Sequence, residues 1–156
     1  MSAYLLLKYL HILGATVLFG TGIGIAFFKW MSGRHGDVRT IRSVDELTVL
    51  ADFVFTTPAV MLQPLSGFAL AYVAGYPFSS PWLMWSLALY LLAGVCWLLV
   101  VWLQLRMRAL ARVADAAQQA LPPEYARLAR YWFWLGVPAF GALLIVYGLM
   151  IARPVW

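Results

Sequence analysis

Four uninterrupted apolar stretches, residues 4–31, 47–74, 82–105 and 132–151, dominate this chain. Each reaches or exceeds the ~20 residues that a helix needs to cross a ~30 Å hydrocarbon core. A soluble fold has no place to bury them. Hydrophobic residues make up 64% of the 156 and charged residues 11%, against about 45–50% and about 25% in soluble domains. A membrane β-barrel does not fit, because its strands alternate over ~10 residues instead of running apolar throughout. The first stretch is too long for a signal-peptide core and ends in Lys29-Trp30, not in small residues, so it reads as a retained helix. The expected fold is therefore all-α: an antiparallel four-helix transmembrane bundle. It forms one integral membrane domain over 1–156, with helices near 4–31, 47–74, 82–121 and 124–152.

Charge sets the orientation. The net charge is +5, but the basic residues gather in two connections. Arg34, Arg39 and Arg42 stand between the first two stretches, with Lys29 at their border. Arg106, Arg108, Arg112, Arg127 and Arg130 stand between the last two. The connection over 75–81 has no charge. The positive-inside rule then puts both basic connections in the cytoplasm and both termini outside, in the periplasm of a bacterial inner membrane. No basic face with interleaved aromatics lies away from the membrane, so nucleic acid is not an expected partner. The single cysteine, Cys96, excludes an intrachain disulfide.

Local signals mark the ends. Ser43-Val44-Asp45-Glu46 has the form of a capping box opening the second helix. Gly75, Pro77 and Pro81 close that helix and restart the chain as the third. The third is expected to extend into the cytoplasm up to Leu121, where Pro122-Pro123 breaks it. Aromatics mark both interfaces, with Tyr4, Tyr72, Tyr76, Trp82, Trp85 and Trp156 outside and Trp30, Trp102, Trp132 and Trp134 inside.

Among residues with chemistry, His11 comes first. It lies about 10 Å below the outer end of its helix at ~1.5 Å per residue, a depth at which a titratable ring normally faces the bundle interior. Helical spacing puts Ala15, Leu18 and Gly22 on its face, with Gly14 close by. A floor of small residues beneath an imidazole suits a planar ligand such as haem b, with His11 on its iron. The same pattern also suits close helix packing around a hydrogen-bonded histidine. His35 stands about 36 Å further along the helix, so the two cannot share one iron. A second ligand would be Met61, Met84, water or a group from a second protomer.

The second stretch carries Asp52, Thr56-Thr57-Pro58 and Gln63-Pro64-Leu65-Ser66-Gly67. Two prolines in one span free carbonyls and invite a kink. Gln63, Ser66, Tyr90 and Tyr147 reach the depth of His11, and such a cluster would bind a quinone, order a haem propionate or join helices. Asp52, near the cytoplasmic interface, is expected to pair with Lys29 or an arginine. Gly20 and Gly24 read as a close helix contact, and small-residue faces allow a homodimer. No zinc, Ser-His-Asp or paired-carboxylate pattern occurs.

Leu7-Lys8-Tyr9-Leu10-His11-Ile12-Leu13-Gly14 and the segment from Pro58 to Gln63-Pro64-Leu65-Ser66-Gly67 resemble a family of small bacterial integral membrane proteins, the domain of unknown function numbered 2269. More distantly, Lys8-x-x-His11-Ile12 is similar to the first-helix motif of HemJ-type protoporphyrinogen oxidases and CopD-like proteins. That likeness implies a haem b linked to His11. Three readings stay open: a haem b or quinone-linked redox protein, an accessory subunit for small-solute or metal transport, and a non-enzymatic assembly or structural protein of the lipid bilayer.

Overall fold

Ser2 opens the first helix by accepting the backbone N–H of Leu5 at 3.4 Å. From there α1 runs unbroken over Ala3–His35 in the computed structural model, which describes residues 2–154. Trp156, read as an interfacial aromatic, lies outside the described residues. The helix passes the expected end at 31, and Arg34 places positive charge at its C-terminal carbonyls. Gly36 then donates its N–H to Ser32 O at 2.7 Å. A Cβ on Gly36 would stand 2.5 Å from that carbonyl oxygen, so only glycine makes the turn.

The second helix, α2, covers Val38–Val73 and corrects the expected capping box. Asp37 is the cap, its carboxylate accepting the N–H of Thr40 at 2.7 Å. That bond holds the exposed Asp37 carboxyl below the usual carboxylate range. Ser43 instead lies inside the helix, donating to Arg39 O at 2.9 Å. Glu46 is taken by Arg42 at 3.1 Å and Arg112 at 2.8 Å.

Within α2 a π-turn spans Asp52–Thr56. The N–H and hydroxyl of Thr57 both reach back to Asp52 O, the hydroxyl at 2.9 Å. Pro58, next in the chain, has no N–H to continue the ordinary ladder, so the wider turn takes up the mismatch. Pro64 likewise leaves Val60 O without its helical donor. Tyr90 of the third helix fills that place, donating its hydroxyl at 2.6 Å. The carbonyl that Pro64 frees is thus tied to a neighbouring helix.

Gly75, at φ +71°, makes the uncharged turn. Pro81 then starts α3, Pro81–Ala116. It stops short of the expected 121 because Gln118 adopts φ +52° and Gln119 donates back to Ala114 O at 2.9 Å. Leu121, preceding a proline, is disfavoured in a helix. α4, Pro123–Ala152, begins one residue before the expected 124, because a proline fits the first helical position, where no N–H is needed.

The order is antiparallel. α1 pairs with α2, the first part of α2 packs on α3, and α3 lies along α4. Phe19 joins α1 to α4 through Phe140 and Tyr147, with ring centroids 5.1 and 5.6 Å apart. All four spans are long and apolar enough to cross a membrane. Large side chains such as Leu65, Leu91 and Leu144 stay exposed where lipid would cover them. Gly20 and Gly24, expected at a close contact, have open space where a Cβ would stand, so among the described residues no helix packs there.

The two ends of the bundle differ. At the basic end Ile41, Leu103, Met107, Ala111, Tyr125 and Leu128 form an apolar core. Beside it Lys29 pairs with Asp45, which also accepts the Tyr125 hydroxyl at 3.0 Å. Both charges are buried, and the Lys29 ammonium lies 5.4 Å from the centre of the Trp132 ring. The expected pairing of Asp52 is therefore corrected. Because α2 starts at Val38, Asp45 arrives level with Lys29, and Asp52 falls further along the span, with no salt bridge among the described residues.

Candidate functional site

At the end of the bundle that holds both termini, α1 and α2 approach closely where glycines allow it. A Cβ on Gly14 would stand 3.0 Å from Gln63 Nε2, and one on Gly67 would stand 3.3 Å from His11 Cε1. The space lets Gln63 donate to His11 O at 2.9 Å and brings His11 Nδ1 within 2.8 Å of Ser66 Oγ.

The roles in that bond follow from counting hydrogens. Ser66 has one, and it is directed back to the carbonyl of Leu62 at 2.7 Å, with Gln63 O at 3.2 Å. Toward His11 the hydroxyl is then an acceptor, so Nδ1 is the donor. A neutral imidazole arranged this way holds its hydrogen on Nδ1 and presents a lone pair at Nε2. Fixing one ring nitrogen so that the other can bind a metal is the usual duty of a residue behind a metal-ligating histidine.

His11 lines a cavity of about 460 Å³ with mostly apolar walls, within the usual range for a cofactor site. Ala15, Gln63, Tyr90 and Tyr147 line it as well. Two cations, Lys8 and Arg153, stand on its wall near the termini. The Arg153 guanidinium lies 5.1 Å from the centre of the Tyr76 ring and bonds its hydroxyl.

The residues expected at one site do not all meet here. Gly14 faces Gln63, and Gly22 faces Phe140 on the wall of a second cavity nearer the basic end. Ser66 touches the ring from behind. Met61 and Met84 are exposed on the outside of the bundle, while Met150 lines the cavity. His35 is exposed at the end of α1. The sequence reading missed Gly67, Arg153 and Met150. The adjacency of Gly67 to Ser66 was a signal for the first, whereas the other two come from the far end of α4 and had none. Among the described residues no three His, Cys, Asp or Glu side chains converge as a metal cluster would need.

Four membrane-spanning helices around polar-edged interior cavities define a small integral membrane bundle protein. A family model described as "Predicted integral membrane protein (DUF2269)" matches residues 5–154, and the chain belongs to that family. No curated protein and no solved structure matches it.

Proposed function

We propose that this is a membrane redox protein that holds haem b in the His11 cavity, with His11 Nε2 as an axial ligand to iron. The observation that carries the reading is the Nδ1 bond to Ser66, which leaves the Nε2 lone pair for a metal. Lys8 and Arg153 supply positive charge where carboxylate substituents of the ring would need it. Bound haem would supply one-electron chemistry. His11 would hold the iron, Ser66 would keep the imidazole in one tautomer, and the mostly apolar walls would limit water around the group.

A quinol is the second reading, its hydroxyl donating to the same lone pair. An oxidised quinone fits less well, because Nε2 offers no hydrogen to its carbonyls. The test is an absorption spectrum of protein purified in mild detergent with adequate haem supply, oxidised and then dithionite-reduced. Wild type is expected to show a Soret band with reduced α and β bands, and His11→Ala to lose them. A colourless wild type at full yield would overturn the haem reading and favour an assembly or transport role.

The same reading places both termini in the periplasm of a bacterial inner membrane, supported by the basic cluster at one end and the uncharged turn at the other. A reporter that is active only in the cytoplasm, fused after residue 156, is expected to be silent. Activity there would invert the topology. Gly20 and Gly24 on the open face of α1 are where a homodimer would pack.

A further inference from the structure

Every ion pair among the described residues stands at the basic end of the bundle and uses Lys29, Arg42, Arg106 or Arg112. Arg34 instead lies over the Trp30 ring at 4.9 Å, and Arg39 stands beside the Asp37 carboxylate. Arg127 and Arg130 on α4 differ from all of these. Both are exposed, and neither forms an ion pair among the described residues. Glu124, the acidic residue of α4, is turned to Arg106 at 3.1 Å. Residues three apart on a helix are neighbours, so two guanidinium groups share one patch without a counter-charge.

The rest of that face says which anion suits it. At 3.6 residues per turn, Tyr131, Trp134, Pro138, Gly141 and Ile145 continue the stripe that Arg127 and Arg130 begin. It points away from Tyr125, Leu128 and Ala142, the buried side of α4. Tyr131, Trp134 and Ile145 are exposed, and a Cβ on Gly141 would meet nothing. The stripe therefore passes from cations to amphipathic rings, then to a low stretch at Pro138 and Gly141 between two taller side chains. From Arg130 to Gly141 it rises about 16 Å, close to one leaflet of a ~30 Å hydrocarbon core. A phospholipid has the same order and reach. Its phosphate takes paired N–H bonds from arginine, its ester region lies where Tyr and Trp gather, and an acyl chain follows.

Other occupants fit less well. A soluble phosphate or an acidic peptide has no use for an apolar run below the cations. A zwitterionic phospholipid brings its own ammonium, which the arginine pair repels. The headgroup must then carry net negative charge.

We propose that the outer face of α4 is a seat for one anionic phospholipid, its phosphate on Arg127 and Arg130 and an acyl chain along Trp134, Pro138 and Gly141. The seat lies outside the bundle and stands whether or not haem binds in the His11 cavity. Basic residues that only set orientation act through their number, whereas a seat depends on these two.

The test adds lipid to the purified, delipidated full chain in mild detergent and follows thermal midpoint and bound lipid by native mass spectrometry. The probes are phosphatidylglycerol, phosphatidylethanolamine and glycerol 3-phosphate. Phosphatidylglycerol is expected to bind saturably and raise the midpoint, with the other two at least tenfold weaker. Arg127→Gln with Arg130→Gln should weaken it at least tenfold. Arg127→Lys with Arg130→Lys keeps the charge but loses the paired N–H bonds, and should weaken it severalfold. Arg34→Gln with Arg39→Gln removes equal charge from α1 and α2 and should leave binding unchanged. An equal loss in that control would overturn the proposal, leaving a diffuse basic belt. Equal binding of phosphatidylethanolamine or of glycerol 3-phosphate would also overturn it, as would no saturable binding by phosphatidylglycerol.

Discussion

Lys29→Met is expected to destabilise the protein by about 3–5 kcal/mol, because it leaves the Asp45 carboxylate buried without its cation. The magnitude follows from position. Both side chains are almost fully inside the protein, where water cannot replace the lost partner. Asp45 would keep only the Tyr125 hydroxyl at 3.0 Å. Asp45→Leu should cost a similar amount by orphaning the ammonium. The double variant should recover most of the loss, since replacing a buried pair by apolar groups of like volume is often neutral or stabilising. Denaturant midpoints of the four proteins in one detergent complete the cycle. A single variant within about 0.5 kcal/mol of wild type, on the scale of ordinary surface changes, would mean that the pair contributes little.

On the haem reading, Ser66→Ala is expected to weaken haem binding about 10–100-fold, the usual effect of removing the group behind a metal-ligating histidine. Nδ1 would lose its acceptor at 2.8 Å, and the ring would be free to turn or to change tautomer. Because Ser66 acts through His11, the decisive readout is spectroscopic. Haem titration should show the weaker affinity together with a shifted Soret band, and Ser66→Thr should restore both by keeping the hydroxyl. An affinity loss with no spectral shift and no rescue would reduce Ser66 to helix packing.

The spans were legible because a continuous apolar run needs no knowledge of neighbours. Positions of chain reversal were legible too, since Gly75, Pro81 and Pro123 act on their own backbone. The start of α2 was not. Asp37 sits in a polar segment that reads as loop, and the Ser43 to Glu46 spacing imitates a cap that the longer helix absorbs. Two turns of unrecognised helix then shifted the partner of Lys29 from Asp52 to Asp45. The His11 site was legible from depth alone, because Ser66 and Gln63 reach the same level on an antiparallel neighbour. Splitting the small residues between two cavities was not, as Gly22 lies further down α1 opposite Phe140. The second cavity was hidden for a related reason. A cavity is a property of several helices together, and Trp132 taken singly has the look of an interfacial anchor.

Leu18, Tyr90 and Leu143 line both cavities and so form the layer between them. Two hollows at different depths in one bundle would, if joined, hold a column of water through much of the bilayer. Such a column carries protons and would short-circuit the gradient that an energised membrane maintains. The layer interrupts it with two aliphatic side chains and a ring whose hydroxyl is committed to Val60 O at 2.6 Å. Apolar constrictions of this kind exclude water and close pores without a moving plug. The carbonyl that Pro64 set free is thus what holds the Tyr90 ring in that layer.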